Sequence, residues 1–235
     1  MESIFVLIHS PLVGPLTWSL LAEELRQRGV ATAVPTLVDD DIGAVPFWRQ
    51  HAEAVARRVE QEPGDCLLVL VGHSGAGPLL PAIRQAAARP AAAYVFVDAG
   101  FPVAGKSRLD LMASEDPEFA RPLRQHLASG ERFPSWSEED LREVIPDPRL
   151  RRGMLKELRP RPLAFFEEPI PVFAGWPDAP CGYLRFSPAY EAPAEHARRL
   201  GWAYREITAG HFHMLVDPST VATTLTDMVG RLQQR

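Results

Sequence analysis

Short, apolar, β-branched runs alternate along this chain with longer segments of helical spacing, a rhythm that predicts parallel strands joined by crossover helices. Ile4-Phe5-Val6-Leu7-Ile8 reads as the first buried strand. Trp18 to Leu25 follows as a helix that stops at Gly29, a residue able to take a left-handed cap. Val30 to Val34 is the next strand and Pro46 to Glu62 the next helix, with Pro46 suited to a first turn. The uninterrupted Cys66-Leu67-Leu68-Val69-Leu70-Val71 has no polar face, as a central strand covered on both sides requires. Beyond it come an Ala-rich helix from about Ala76 to Ala88 and the strand Tyr94-Val95-Phe96-Val97, ending at Asp98.

From Phe101 to about Pro171 the rhythm breaks. The chain turns polar and proline-punctuated, with short helical pieces such as Glu118 to Leu127 and Glu138 to Val144, and reads as a helical cap inserted over the sheet. Alternation then resumes with a strand from Gly182 to Ser187, a helix from Ala192 to Leu200, a strand from Ala203 to Ile207 and a closing helix from Pro218 to Leu232. The expectation is one α/β domain of 235 residues with the cap at about 101–171 inside it. Open parallel sheets bind ligands outside the carboxyl ends of their strands. The positions just after Ile8, Val71, Val97 and Ile207 hold His9-Ser10, Ser74, Asp98 and His211, which should share one crevice.

Gly72-His73-Ser74-Gly75-Ala76-Gly77 lies between a buried strand and a helix, the context of a nucleophile elbow. Small residues at 72, 75 and 76 let strand and helix approach, while the sharp turn strains Ser74 and pushes its hydroxyl into the crevice. The Gly75 N–H at the helix start would favour a developing oxyanion. Gly210-His211-Phe212-His213-Met214-Leu215 follows the last strand, where a loop can carry an imidazole over the elbow. His211 comes first after the glycine and is the candidate base; the apolar residues around His213 assign that second histidine to packing or the pocket wall.

Composition narrows the remaining choices. Twenty-five basic residues, only Lys106 and Lys156 among them lysines, are interspersed with 30 acidic ones at a net charge of −5, so no nucleic-acid surface is expected. No apolar run is long enough to span a bilayer, and Cys66 and Cys181 form neither a metal nor a disulfide pattern, so a reducing cytoplasm is the expected compartment. Metal ligands, a phosphate loop with its lysine and spaced dinucleotide glycines are all missing, and no cofactor is expected. The expected partner is a small-molecule substrate; monomer and homodimer both stay open. Aromatic candidates for the pocket wall are Phe101, Trp136, Phe165, Phe166 and Trp176.

Val6-Leu7-Ile8-His9-Ser10, Gly72-His73-Ser74-Gly75 and Gly210-His211 together resemble the α/β-hydrolase family, in particular its compact esterase and hydroxynitrile-lyase branch with a small helical cap. The resemblance implies a mostly parallel sheet with helices on both faces and a Ser, acid, His triad. Its usual acid position falls on Ala189, so the standard acid is missing. Asp98 is the leading candidate, since some haloalkane dehalogenases of this fold keep their acid at that strand end; the alternatives are Asp178, Glu191 or no acid at all. The family's second oxyanion donor, two residues past His9, falls on Pro11, which has no N–H. The Leu12 N–H or the Ser10 hydroxyl would have to substitute. These features imply a serine hydrolase acting on a carboxylic ester, thioester or lactone. A lyase or biosynthetic tailoring enzyme using the same Ser and His, or a small-molecule receptor, are the alternatives.

Overall fold

In the computed structural model, which describes residues 3–40 and 45–234, six strands form one parallel sheet. They are β1 (Ser3–Ile8), β2 (Thr32–Ala33), β3 (Leu67–Ser74), β4 (Ala91–Ala99), β5 (Cys181–Arg185) and β6 (Ala203–Glu206), in the spatial order β2-β1-β3-β4-β5-β6. Alternate residues of each strand feed opposite cores. Val6 and Ile8 pack with Val55, Ile83 and Ala194 from α2 (Phe47–Val59), α3 (Leu80–Ala87) and α8 (Glu191–Arg199). Phe5 and Leu7 face Leu21 and Leu225 from α1 (Leu16–Gln27) and α9 (Pro218–Leu232). Both sheet faces are therefore covered, which is why the central strands read as unbroken apolar runs.

Between β4 and β5 stand α4 (Arg108–Glu115), α5 (Pro117–Ala128), α6 (Pro148–Lys156) and α7 (Leu163–Glu167). Sequence reading found α5 but not α4 or α6, although both start on side-chain caps. Ser107 and Asp110 form a capping box at α4, and Asp147 caps α6 ahead of Pro148. The expected helix from Glu138 to Val144 is corrected: the stretch is a series of turns. It holds one three-residue and one four-residue backbone bond, Arg142 to Glu139 and Ile145 to Leu141, and Pro146 stops any continuation.

Two further elements are shorter than expected. The strand from Val30 to Val34 contracts to β2, because Val30 N–H closes the end of α1 on Leu25 O and Pro35 has no N–H for the ladder. The helix expected from Ala76 begins as a 3-10 turn over Gly77–Leu79, and α3 starts only at Leu80, with Pro78 and Pro81 each lacking a donor.

Candidate functional site

The last residue of β3 is Ser74 itself, with φ at +56°. A non-glycine residue adopts that conformation only when its surroundings enforce it. Close packing does so here. A Cβ on Gly72 would sit 3.0 Å from Leu80, one on Gly75 would sit 3.1 Å from Ser10 Oγ, and one on Gly77 would meet the Gly100 carbonyl at 2.2 Å.

Asp98 is placed by an irregularity in the neighbouring strand. His73 pairs with Val97 but Ser74 pairs with Ala99, so Asp98 is the extra residue of a bulge, with φ at +44°. Its side chain is fully buried and accepts four hydrogen bonds. Oδ1 takes the Phe186 N–H at 2.8 Å and the Ser187 N–H at 2.9 Å, while Oδ2 takes the Ser187 hydroxyl at 2.6 Å and His211 Nδ1–H at 2.7 Å. Burial by itself would raise this carboxyl; the bonds from His211 and Ser187 outweigh it and hold Asp98 below the ordinary carboxylate value.

His211 Nε2 has no hydrogen-bond partner among the described residues. Its ring lies between two others, His73 at 4.3 Å and Tyr190 at 5.1 Å, the latter parallel to within 5°. His73 Nε2–H donates to the His211 carbonyl at 3.0 Å, and burial drives its pKa well down, so His73 is a neutral prop beneath the loop. Ser74 Oγ makes its hydrogen bond with Tyr190 OH, at 3.0 Å, and none with His211. Tyr190 and Ser187 were missed in the sequence. Both follow β5, and applying the strand-end rule to that strand as to the others would have found them.

The alternative acids are engaged elsewhere: Asp178 pairs with Arg84 at 2.9 Å and receives the Tyr94 hydroxyl, and Glu191 pairs with Arg185 at 2.9 Å. Ser10, Leu12 and Gly75 all line the cavity above Ser74. His9 does not, which corrects its place among the site residues. It is buried with its Nδ1–H on Ser10 O at 2.8 Å and its Nε2 accepting the Leu37 N–H at 3.2 Å, so it braces the loop from behind. Trp176 is also corrected. It precedes β5 and therefore sits by the amino end of that strand, packed edge-on to Tyr94 and Phe96. Phe101 turns away to stack on Trp202 at 4.6 Å. Trp136, Phe165 and Phe166 do line the cavity, whose volume is about 590 Å³.

Beneath the Ser10–Val13 loop lies a buried polar network that sequence reading did not anticipate. Arg161, from the cap insertion, gives two hydrogen bonds to the Pro11 carbonyl, at 3.1 and 3.0 Å, and a 2.5 Å ion pair to Asp39. Asp39 also binds His51, itself wholly buried. Burial opposes the Asp39 charge, but His51 and Arg161 together bring its carboxyl down to about 2.

Glu115, at the end of α4, lines the same cavity with no hydrogen bond or ion pair to its carboxyl group among the described residues, and burial lifts that carboxyl to about 7. Below the ordinary value of 4.5 both folded and unfolded chains hold this proton. As pH rises toward 7 the unfolded chain loses it first, and the folded state is progressively penalised. Glu115→Gln is expected to stabilise the protein on the order of 1–2 kcal/mol at pH 8 and hardly at all at pH 4, after allowance for solvent screening. Urea unfolding at the two pH values checks this; an equal gain at both would remove burial of the charge as the cause.

A hydroxyl on a strained turn, an imidazole with one nitrogen fixed by a buried carboxylate and the other open, and an apolar cavity above them can together support acyl transfer. Among the described residues no three His, Cys, Asp or Glu side chains are grouped to hold a metal ion, and no helix is long and apolar enough to cross a membrane.

Similar architecture recurs in solved structures. An extracellular alpha/beta-hydrolase from a Paenibacillus species, described as sharing structural and functional homology with tobacco salicylic acid binding protein 2, superposes with a TM-score of 0.75 at 21% identity, covering 97% of this chain and 99% of its own. A pyrethroid hydrolase from Sphingobium faniae gives 0.74 at 17% identity over the whole of both chains. Tomato methylketone synthase I, complexed with 2-tridecanone, gives 0.74 at 14% identity over 99% of each. Among curated proteins no sequence matches at a significant level. The alpha/beta hydrolase family model matches residues 5–224, nearly the full sheet with its insertion, and by that match the chain belongs to the alpha/beta hydrolase family.

Proposed function

We propose that the protein is a serine hydrolase that cleaves a carboxylic ester, thioester or lactone of a small, largely apolar molecule through an acyl-enzyme on Ser74. The observation that carries this reading is the 2.7 Å bond from His211 Nδ1–H to the buried Asp98, which leaves Nε2 free on the cavity side of the fold that also presents Ser74. In this mechanism substrate fills the cavity and the Ser74 hydroxyl turns from Tyr190 to His211. Oγ bonds to the carbonyl carbon while its proton passes to Nε2, and Asp98 stabilises the imidazolium. Collapse expels the alcohol or thiol with that proton, and water, deprotonated by His211, releases the acid.

The test is mass-spectrometric location of a fluorophosphonate adduct. Labelling is expected at Ser74, absent from Ser74→Ala and much slowed in His211→Ala. A folded wild-type protein that takes no label would overturn the activated-serine reading. Pro11 favours a second reading, lyase or tailoring chemistry by the same Ser and His, because it withholds an N–H from the wall of the site. That reading predicts substrate turnover that needs His211 with no acyl adduct at Ser74.

A further inference from the structure

Acylation of Ser74 would place a negative oxygen one bond beyond the carbon attached to Oγ, and such an oxygen ordinarily requires more than one preorganised donor. The backbone supplies one, the Gly75 N–H, which no acceptor of the described chain engages. The facing loop supplies no free backbone N–H, and its Ser10 hydroxyl already takes the Leu12 N–H. Pro11 has no N–H, the Leu12 N–H points to Ser10 Oγ at 3.4 Å, and the Val13 N–H is bonded to Ser10 O at 3.1 Å. The Pro11 carbonyl held by Arg161 is an acceptor and cannot help.

We propose that the Tyr190 hydroxyl is the missing donor, a catalytic residue that binds the oxyanion formed on Ser74. It lies 3.0 Å from Ser74 Oγ, within reach of an oxygen one bond further on. Burial raises its pKa, so the phenol keeps its proton across the working range. Its position is fixed on both sides. The ring stacks parallel to His211, and the 3-10 turn Pro188–Tyr190 that carries it begins at Ser187, which Asp98 holds by both backbone and side chain. One carboxylate thus sets both the imidazole and the phenol. The resting bond to Ser74 keeps this donor aimed at the reaction centre before substrate arrives.

The inference rests on the serine hydrolase reading, and Tyr190→Phe tests it separately because the ring and its stack remain while the O–H is lost. The measurements are the fluorophosphonate labelling rate at Ser74 and kcat and KM for p-nitrophenyl butyrate and ethyl butyrate. Both labelling and kcat are expected to fall about 10²-fold, equally for the two esters, with KM nearly unchanged. Labelling of Tyr190→Phe at the wild-type rate, or a faster rate, would overturn the role of Tyr190 while leaving Ser74 in place. A loss confined to ethyl butyrate would also overturn it, because the hydroxyl would then be serving the poor leaving group. Absence of label on wild type would remove both readings together.

Discussion

Asp98→Asn is expected to lower kcat by about 10⁴-fold, with little change in KM and little change in fold. The magnitude follows from which way the new amide must face. Phe186 and Ser187 both aim backbone N–H groups at Oδ1, so the amide oxygen must occupy that side. Its NH2 then faces His211 Nδ1, where a carboxylate oxygen stood at 2.7 Å. A donor there forces Nδ1 to accept, the imidazole proton moves to Nε2, and the nitrogen meant to take the Ser74 proton is already occupied. Steady-state kinetics on an activated ester, with a thermal melt to establish folding, would check this. A folded variant within tenfold of wild type would show that Asp98 does not set the tautomer.

Arg161→Met is expected to cost about 3–5 kcal/mol, because it leaves Asp39 buried without its guanidinium. At about 2–4 °C per kcal/mol for a chain of this size, the melting temperature should fall by roughly 6–20 °C. Activity should fall further than stability alone explains, since the same side chain holds the Pro11 carbonyl and hence the loop facing Ser74. Adding Asp39→Leu removes the stranded charge and should restore much of the melting temperature, but not the activity, because Pro11 O remains unheld. Calorimetry of the single and double variants separates the two effects. A single variant that melts within 2 °C of wild type would mean that Asp39 is already compensated by His51.

Sequence pattern located what depends on local rules. The elbow at Ser74, the strand end at Asp98 and the histidine after β6 each announce themselves by a run of residues bound to one element. What stayed hidden depends on contacts across long separations. Arg161 meets Pro11 across 150 positions, and Tyr190 meets Ser74 across 116, so neither has a neighbourhood that reveals its role. Trp176 shows the converse error: an aromatic residue just past the cap suggested a cavity wall, yet its place before β5 commits it to the other end of the strand. Glu138 to Val144 carried helical spacing without room for a helix between the preceding Ser137–Asp140 turn and Pro146.

The cap is joined to the core unevenly, and this bears on how such a protein can diversify. On one flank Arg159 N–H bonds the Leu12 carbonyl, while Arg161 exchanges backbone bonds with Phe133 and grips Pro11, so change there disturbs the loop beside Ser74. On the other flank α4 and α5 contribute Leu111, Met112, Glu115 and Phe119 to the cavity, from a unit opened by its own capping box and tied to α7 and the residue after it through Arg108, which bonds Phe165 O and Glu168. Mutational drift and library design therefore have a natural division of labour: the cavity-facing Met112, Glu115 and Phe119 can be varied to recruit new ligands, while Arg108, paired with Glu168, and residues 159–161 must be inherited unchanged with the chemistry they support.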